Sequence, residues 1–233
     1  MHIPDGVLPM WIVTAGWIAT ALVLSFCIRR VSSIELRRKI PLIGIISALM
    51  IAGMTLEIVP IGYHVNLSVI AGIVLGPALA FISVFIVNLI ISMFGHGGVT
   101  VVGLNTLVIG VEAVLGYYLF QLFRSVIGGK SIGWESSLAA FLSLLLSTSL
   151  MLGIVYLSHV SPAKIENIGR LLSGTGNSIS GNPVGDNGIN FSRFAKTVFI
   201  LGPVGWALEA VITGLVIKYV SRVRPDLVVA ERA

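Results

Sequence analysis

Charge is what this sequence has least of. Only 11% of its 233 residues are Asp, Glu, Lys or Arg, against about 25% in a typical soluble domain. A water-facing surface is hard to build from so few. A bilayer-embedded chain requires the shortage, because each charge buried there is costly. Cysteine is nearly missing as well: Cys27 stands alone in an apolar run, which excludes a disulfide framework. There is no Walker A loop, no GxSxG, no HExxH and no paired cysteine. The chain is therefore not read as an enzyme, and any ATP-driven role would need ATPases on other chains. No basic region precedes the first apolar run, so the opening MHIPDGVLP is not a signal peptide. The net charge of +5 does not point to nucleic acid. The basic residues sit in short clusters between apolar runs, the pattern that sets membrane topology.

Apolar residues fill the gap. They make up 56% of the chain, and 26 glycines accompany them. Glycine is common in transmembrane helices and lets them approach closely. A spanning helix needs about 20 mostly apolar residues. The hydropathy pattern predicts spans at Leu8–Ile28, Pro41–Val59, 67–78, 79–94, Leu104–Phe123, Leu138–Leu157 and Phe194–Val220. The third is short because Gly76-Pro77 interrupts the apolar stretch from Leu67 to Met93. The expected fold is all-α, a polytopic transmembrane bundle of about seven spans forming a single domain over residues 1–233.

Seven spans put the termini on opposite sides. With the N-terminus outside, the cytoplasmic segments hold Arg29, Arg30, Arg37, Arg38, Lys39, Arg124, Lys130, Lys218, Arg222, Arg224 and Arg232, and the outer segments only Lys164, Arg170, Arg193 and Lys196. The positive-inside rule selects this orientation and a cytoplasmic C-terminus. The long stretch 159–193, rich in Gly, Ser and Asn, then becomes a mobile outer loop.

This topology sends all four histidines, His2, His64, His96 and His159, to the outer face. Imidazole is the commonest metal-binding side chain. His2 is the most specific of them. Methionine removal needs a small second residue, so Met1 is expected to stay. A free amine, the amide nitrogen of residue 2 and Nδ1 of His2 then close a five- and a six-membered chelate ring, three nitrogens in one plane. A fourth nitrogen from another histidine completes a square, a geometry that favours Ni(II) or Cu(II) over Zn(II). Pro4-Asp5-Gly6 reads as a tight turn that folds the segment 1–7 back on itself. Asp5 is a turn residue or a hydrogen-bond partner of a ligating imidazole. Gly97-Gly98 beside His96 signals a close backbone approach. His159 is read as an ordinary loop residue.

Glu57, Asn88, Asn105, Glu112 and Glu209 fall within the predicted spans, where polar side chains face the bundle interior, a cavity or a partner. Glu112 and Glu209 are structural partners, contacts for another subunit, or proton-relay groups. The last option makes the chain a stand-alone proton-coupled secondary transporter.

Met1-His2-Ile3-Pro4-Asp5-Gly6, Gly95-His96-Gly97-Gly98, Gly103-Leu104-Asn105, Glu209-Ala210 and Arg222-Val223-Arg224-Pro225 together resemble the CbiM/NikM family over nearly the whole chain. These are the substrate-specific membrane (S) components of energy-coupling-factor transporters for nickel and cobalt. The resemblance implies a metal held by the Met1 amine, the amide and imidazole of His2, and the imidazole of His64. His96, Asp5 and Asn105 would support the site or add a ligand. It implies that the N-terminal segment plugs the outer mouth of the bundle. It also implies a transmembrane coupling (T) protein, a pair of cytosolic ATPases and often a small accessory membrane subunit as partners. Transport would proceed by tipping of the bundle in the membrane of a prokaryotic cell. Two elements depart from the family pattern: Ile61-Gly62-Tyr63 before His64 lacks the usual Gly/Ser-rich stretch, and Leu104 replaces the alanine of Gly-Ala-Asn. Pro4-Asp5 looks like the nickel branch.

Overall fold

The fold is that of a computed structural model, which describes residues 2–55, 57–58, 63–129, 131–159 and 191–228. The stretch 160–190, most of the loop expected to be mobile, lies outside the described residues, and so does Met1.

Among the described residues, seven helices follow in chain order: α1 (Met10–Arg30), α2 (Ser33–Thr55), α3 (Ser68–Leu75), α4 (Pro77–Met93), α5 (Val102–Ile127), α6 (Ile132–His159) and α7 (Phe191–Val223), with a 3-10 turn at Pro225–Leu227. Five of them, α1, α2, α5, α6 and α7, are long and apolar enough to cross a bilayer. The helices overrun the apolar windows seen in the sequence. Thus α2 begins at Ser33 and carries Arg37, Arg38 and Lys39 in its first turns, with Pro41 inside the helix. The apolar run marks where a helix meets lipid, not where its hydrogen-bond ladder stops. Large apolar side chains such as Ile18, Leu22, Phe26, Ile45 and Leu49 face outward, as lipid contact requires.

α5 is the hub, touching α1, α3, α4 and α6, and α7 closes the bundle against α6. Its contact with α3 is backbone-close: a Cβ on Gly72 would clash with the Ala113 carbonyl, and one on Gly116 would meet Val69 at 2.7 Å. Small residues replace hydrophobic drive as the means of packing helices in a membrane. The ends of α1, α5 and α7 carry Arg29, Arg30, Arg124 and Arg222, and the start of α2 lies on this same basic face. The positive-inside rule places that face in the cytoplasm and the N-terminal segment outside.

The third span corrects the sequence-based expectation. A helix over 67–78 would be short; the actual helix, α3, has 8 residues, about 12 Å at 1.5 Å per residue, against a hydrocarbon core of about 30 Å. α2 and α4 both run toward the N-terminal face, so the chain must return between them. It does so in two parts: non-helical residues from Val65 to Leu67, where Leu67 takes φ 57°, then the half-helix. Glu57–Ile58 pairs antiparallel with Tyr63–His64 at the outer end, a two-residue ladder among described residues that are otherwise helical or irregular. Irregular backbone is tolerated at membrane depth only inside protein. Val65, Asn66 and every residue of α3 are buried.

Hydrogen bonds to side chains hold the helix ends inside the bundle. The Glu209 carboxylate accepts from Leu67 N at 2.9 Å and from Asn66 N at 3.4 Å. The Glu112 carboxylate accepts from the Asn66 amide at 2.8 Å and from the hydroxyls of Ser68 and Ser147. At the other end, Lys39 Nζ donates to the Leu75 carbonyl at 2.9 Å. Two carboxyl groups at the start and one Lys side chain at the finish satisfy groups that the short helix leaves open.

Candidate metal site at the N-terminal face

The site is built from the amino terminus inward. Ile3 and Leu8 are buried in an apolar cluster with Ile12 and Val13 of α1, Leu104 and Val108 of α5, and Met151 and Val155 of α6. These side chains anchor the segment in the mouth of the bundle. The Asn105 side chain clamps the Ile3 backbone from both sides: Ile3 N donates to Oδ1 at 2.9 Å, and Nδ2 donates to the Ile3 carbonyl at 3.1 Å. A side-chain amide here imitates a β-ladder partner.

Asp5 completes the docking. Its carboxylate accepts from Val99 N at 2.9 Å, from Thr100 N at 3.0 Å and from the Thr100 hydroxyl. Chiefly the Thr100 hydroxyl bond holds its pKa below the usual carboxylate value. A hydrogen bond from Asp5 to an imidazole was the other possibility; both its oxygens are instead committed to the loop before α5. The glycines of that loop now have a reason. A Cβ on Gly98 would clash with the Asp5 carboxylate and lie 2.6 Å from Asp5 N, and one on Gly97 would stand 3.3 Å from the His2 Cβ. Gly97 also has φ +75°, which favours glycine.

These contacts set His2 against the other two loop histidines. The His2 and His96 ring centroids are 6.4 Å apart, and those of His64 and His96 are 5.0 Å apart. His64 arrives on the short ladder and His96 on the α4–α5 loop. His2 Nε2 lies 3.1 Å from Asn88 Oδ1. Its Nδ1 is buried without a hydrogen-bond partner among the described residues. Burial, then the positive chain terminus and the two neighbouring imidazoles, push its pKa down to about 3, against the opposing bond to Asn88. His2 is thus neutral at physiological pH, the form that ligates metals.

Three of the four histidines therefore converge, and His159 ends α6. Met1 lies outside the described residues. Among the described residues, no three His, Cys, Asp or Glu side chains are grouped closely enough to hold an ion by side chains alone. Asn105 holds backbone, not an imidazole. Asn88 was visible in the sequence only as a polar residue within an apolar run, and its contact with His2 needs the fold. Glu112 and Glu209, the candidate proton relay, are both engaged at the start of α3.

The fold and site define a class: a multi-pass helical bundle whose N-terminal segment is seated in its mouth beside clustered imidazoles. Residues 2–227 match the family described as the cobalt uptake substrate-specific transmembrane region. The chain belongs to this family, a membrane component of metal uptake in prokaryotic cell membranes. It is 26% identical over 238 residues to a protein of Methanococcus voltae named cobalt transport protein CbiM, covering 97% of this chain and 94% of that one. It is 33% identical over 131 residues to a metal transport protein of Haloquadratum walsbyi, a match that spans 54% of this chain and only 60% of its relative. A solved structure described as a truncated transition metal transporter superposes with a TM-score of 0.74 at 23% identity, covering 95% of this chain and 99% of the other. At that identity the likeness speaks for the fold.

Proposed function

We propose that the chain is the metal-capturing S component of an energy-coupling-factor importer, with Ni(II) or Co(II) as its transported substrate. The Met1 amine, the amide nitrogen and Nδ1 of His2, and the imidazole of His64 supply four nitrogens, and His96 stands beside them. The observation that carries the reading is the second residue of the chain: a half-buried, neutral histidine whose buried Nδ1 has no hydrogen-bond partner among the described residues, packed near two further imidazoles. A histidine at an idle terminus would stay in water. In-plane nitrogen ligation favours Ni(II), and the family description favours cobalt.

Binding alone is the role of this chain. Transport requires a T protein, a cytosolic ATPase pair and, in some assemblies, a small accessory membrane subunit. Glu112 and Glu209 are assigned to the broken third span, so the bundle needs no proton relay of its own.

The test is a competition titration of the purified full chain with Ni(II) and Co(II), read by absorption. The wild type should bind one ion, with a yellow diamagnetic Ni(II) complex. His2→Ala, acetylation of the terminal amine, and an N-terminal extension should each abolish tight binding. An extended chain that binds Ni(II) normally refutes the reading, and paramagnetic six-coordinate Ni(II) refutes the square geometry.

A further inference from the structure

We infer that Asn88, oriented by Thr106, is a positioning residue: it fixes the tautomer and ring direction of His2 so that Nδ1 faces the metal. This rests on the proposed function, and it deepens the same site.

Asn88 lies in α4, five residues before its outer end, and is 2% exposed; Thr106, one turn into α5, is 0% exposed. An asparagine placed there presents either its carbonyl or its amide to His2, and the two choices have opposite consequences. With Oδ1 toward His2, only an Nε2–H can complete the 3.1 Å bond, and Nδ1 is then an open lone pair. With the amide toward His2, Nε2 must accept, the proton moves to Nδ1, and the proposed ligand atom is blocked.

The structure has the first arrangement, with Thr106 on the amide side of Asn88. Asn88 Nδ2 donates to Thr106 Oγ1 at 3.4 Å, which leaves Oδ1 for His2. The buried Nδ1 meets no hydrogen-bond partner among the described residues, so nothing described there opposes the Nε2–H tautomer. The Asn88 side of the ring thus sets the tautomer. A partner on the non-ligating nitrogen is the usual way a metal-binding histidine is oriented, and its loss typically weakens metal binding about 10–100-fold.

The sequence surroundings fit a polar role. Asn88 is flanked by Val87, Leu89 and Ile86, and a lone amide in an apolar transmembrane helix needs a partner inside the bundle. His2, on a segment with no helix of its own, is what it finds.

The test compares Asn88→Leu, Asn88→Asp and Thr106→Val in the full chain, with two readouts. The first is the nitrogen-15 spectrum of the His2 ring in metal-free protein, which reports which nitrogen carries the proton. The second is Ni(II) and Co(II) affinity. In the wild type the proton should be on Nε2. Asn88→Leu should let it redistribute toward Nδ1 and weaken binding about 10–100-fold. Asn88→Asp keeps an acceptor and should retain the wild-type tautomer with affinity within a few-fold. Thr106→Val should give a mixed tautomer and an intermediate loss, and it carries the test if Asn88→Leu does not fold. A wild-type His2 protonated on Nδ1, or an unchanged affinity in both Asn88→Leu and Thr106→Val, overturns the inference. If His2→Ala abolishes binding while these variants do not, the assignment of Asn88 fails alone. If His2→Ala binds normally, the metal site itself fails.

Discussion

Substituting Asn105 by alanine should uncouple the N-terminal segment from the bundle while leaving the helices intact. The side chain makes two buried bonds to one residue, Ile3. Removing it strands an N–H and a C=O next to an apolar cluster, at roughly 1–3 kcal/mol each for a buried unsatisfied group. The seated state then loses about 2–6 kcal/mol, offset in part by water entering the space. The Ile3 side chain itself stays apolar and still favours the pocket, by about 1.5–3 kcal/mol. Each 1.4 kcal/mol is tenfold in an equilibrium. Apparent affinity falls in proportion to the binding-competent fraction. Even the low end of the cost gives a loss of about 30-fold, once the seated population is no longer dominant. Asn105→Asp keeps the acceptor for Ile3 N and loses only the donor, so it should fall between wild type and alanine. The assay is metal titration alongside circular dichroism, with protease susceptibility of the N-terminal segment as the direct measure of seating. An Asn105→Ala protein that binds metal within threefold of wild type, with its N-terminus still protected, would refute the clamp.

Four further outcomes follow. Gly98→Ala should displace Asp5, because the new methyl meets its carboxylate and backbone; metal binding should drop with helicity unchanged, whereas Gly44→Ala, with nothing within 4 Å, should be silent. The pH dependence has a fixed sign. His2 is lowered from 6.5 to about 3 when seated, so the undocked terminus takes up the proton more readily. Seating is therefore at full strength above pH 6.5 and is lost as pH falls toward 3, by up to about 1.4 kcal/mol per unit for this one group. Metal competition makes the decline steeper, and affinity measured between pH 5 and 7.5 should rise with pH; a flat profile contradicts the assignment. Glu209→Leu should strip the acceptor from Leu67 N and Asn66 N and lower stability by about 2–6 kcal/mol, about 1–3 for each stranded donor. Uptake by the assembled transporter should resist a proton uncoupler so long as ATP is held constant.

How legible the molecule was in its sequence depends on the range of the interaction involved. Long apolar runs are local, and the helices they imply are present as α1, α2, α5, α6 and α7. The clash at Gly97-Gly98 was also announced, since adjacent glycines beside a histidine signal backbone contact, although not that the contact is with Asp5. The break in the third span was half visible. Gly76-Pro77 marked its inner end, where Gly76 takes φ +85°, but the outer end has no breaker. The apolar stretch begins at Leu67, the residue just before α3. The Asn66 and Leu67 backbone is held there by Glu209, 143 and 142 residues away, and the Asn66 side chain by Glu112, 46 residues away. No local window contains them. The same reasoning explains why Glu112 and Glu209 suggested a relay. An isolated carboxylate in an apolar run is expensive, and a sequence shows the expense without the helix terminus that offsets it. Asn88 is the sharper case. Its partner lies 86 positions away, on a segment that carries no regular structure. Only the fold turns a lone amide and a lone terminal histidine into one unit.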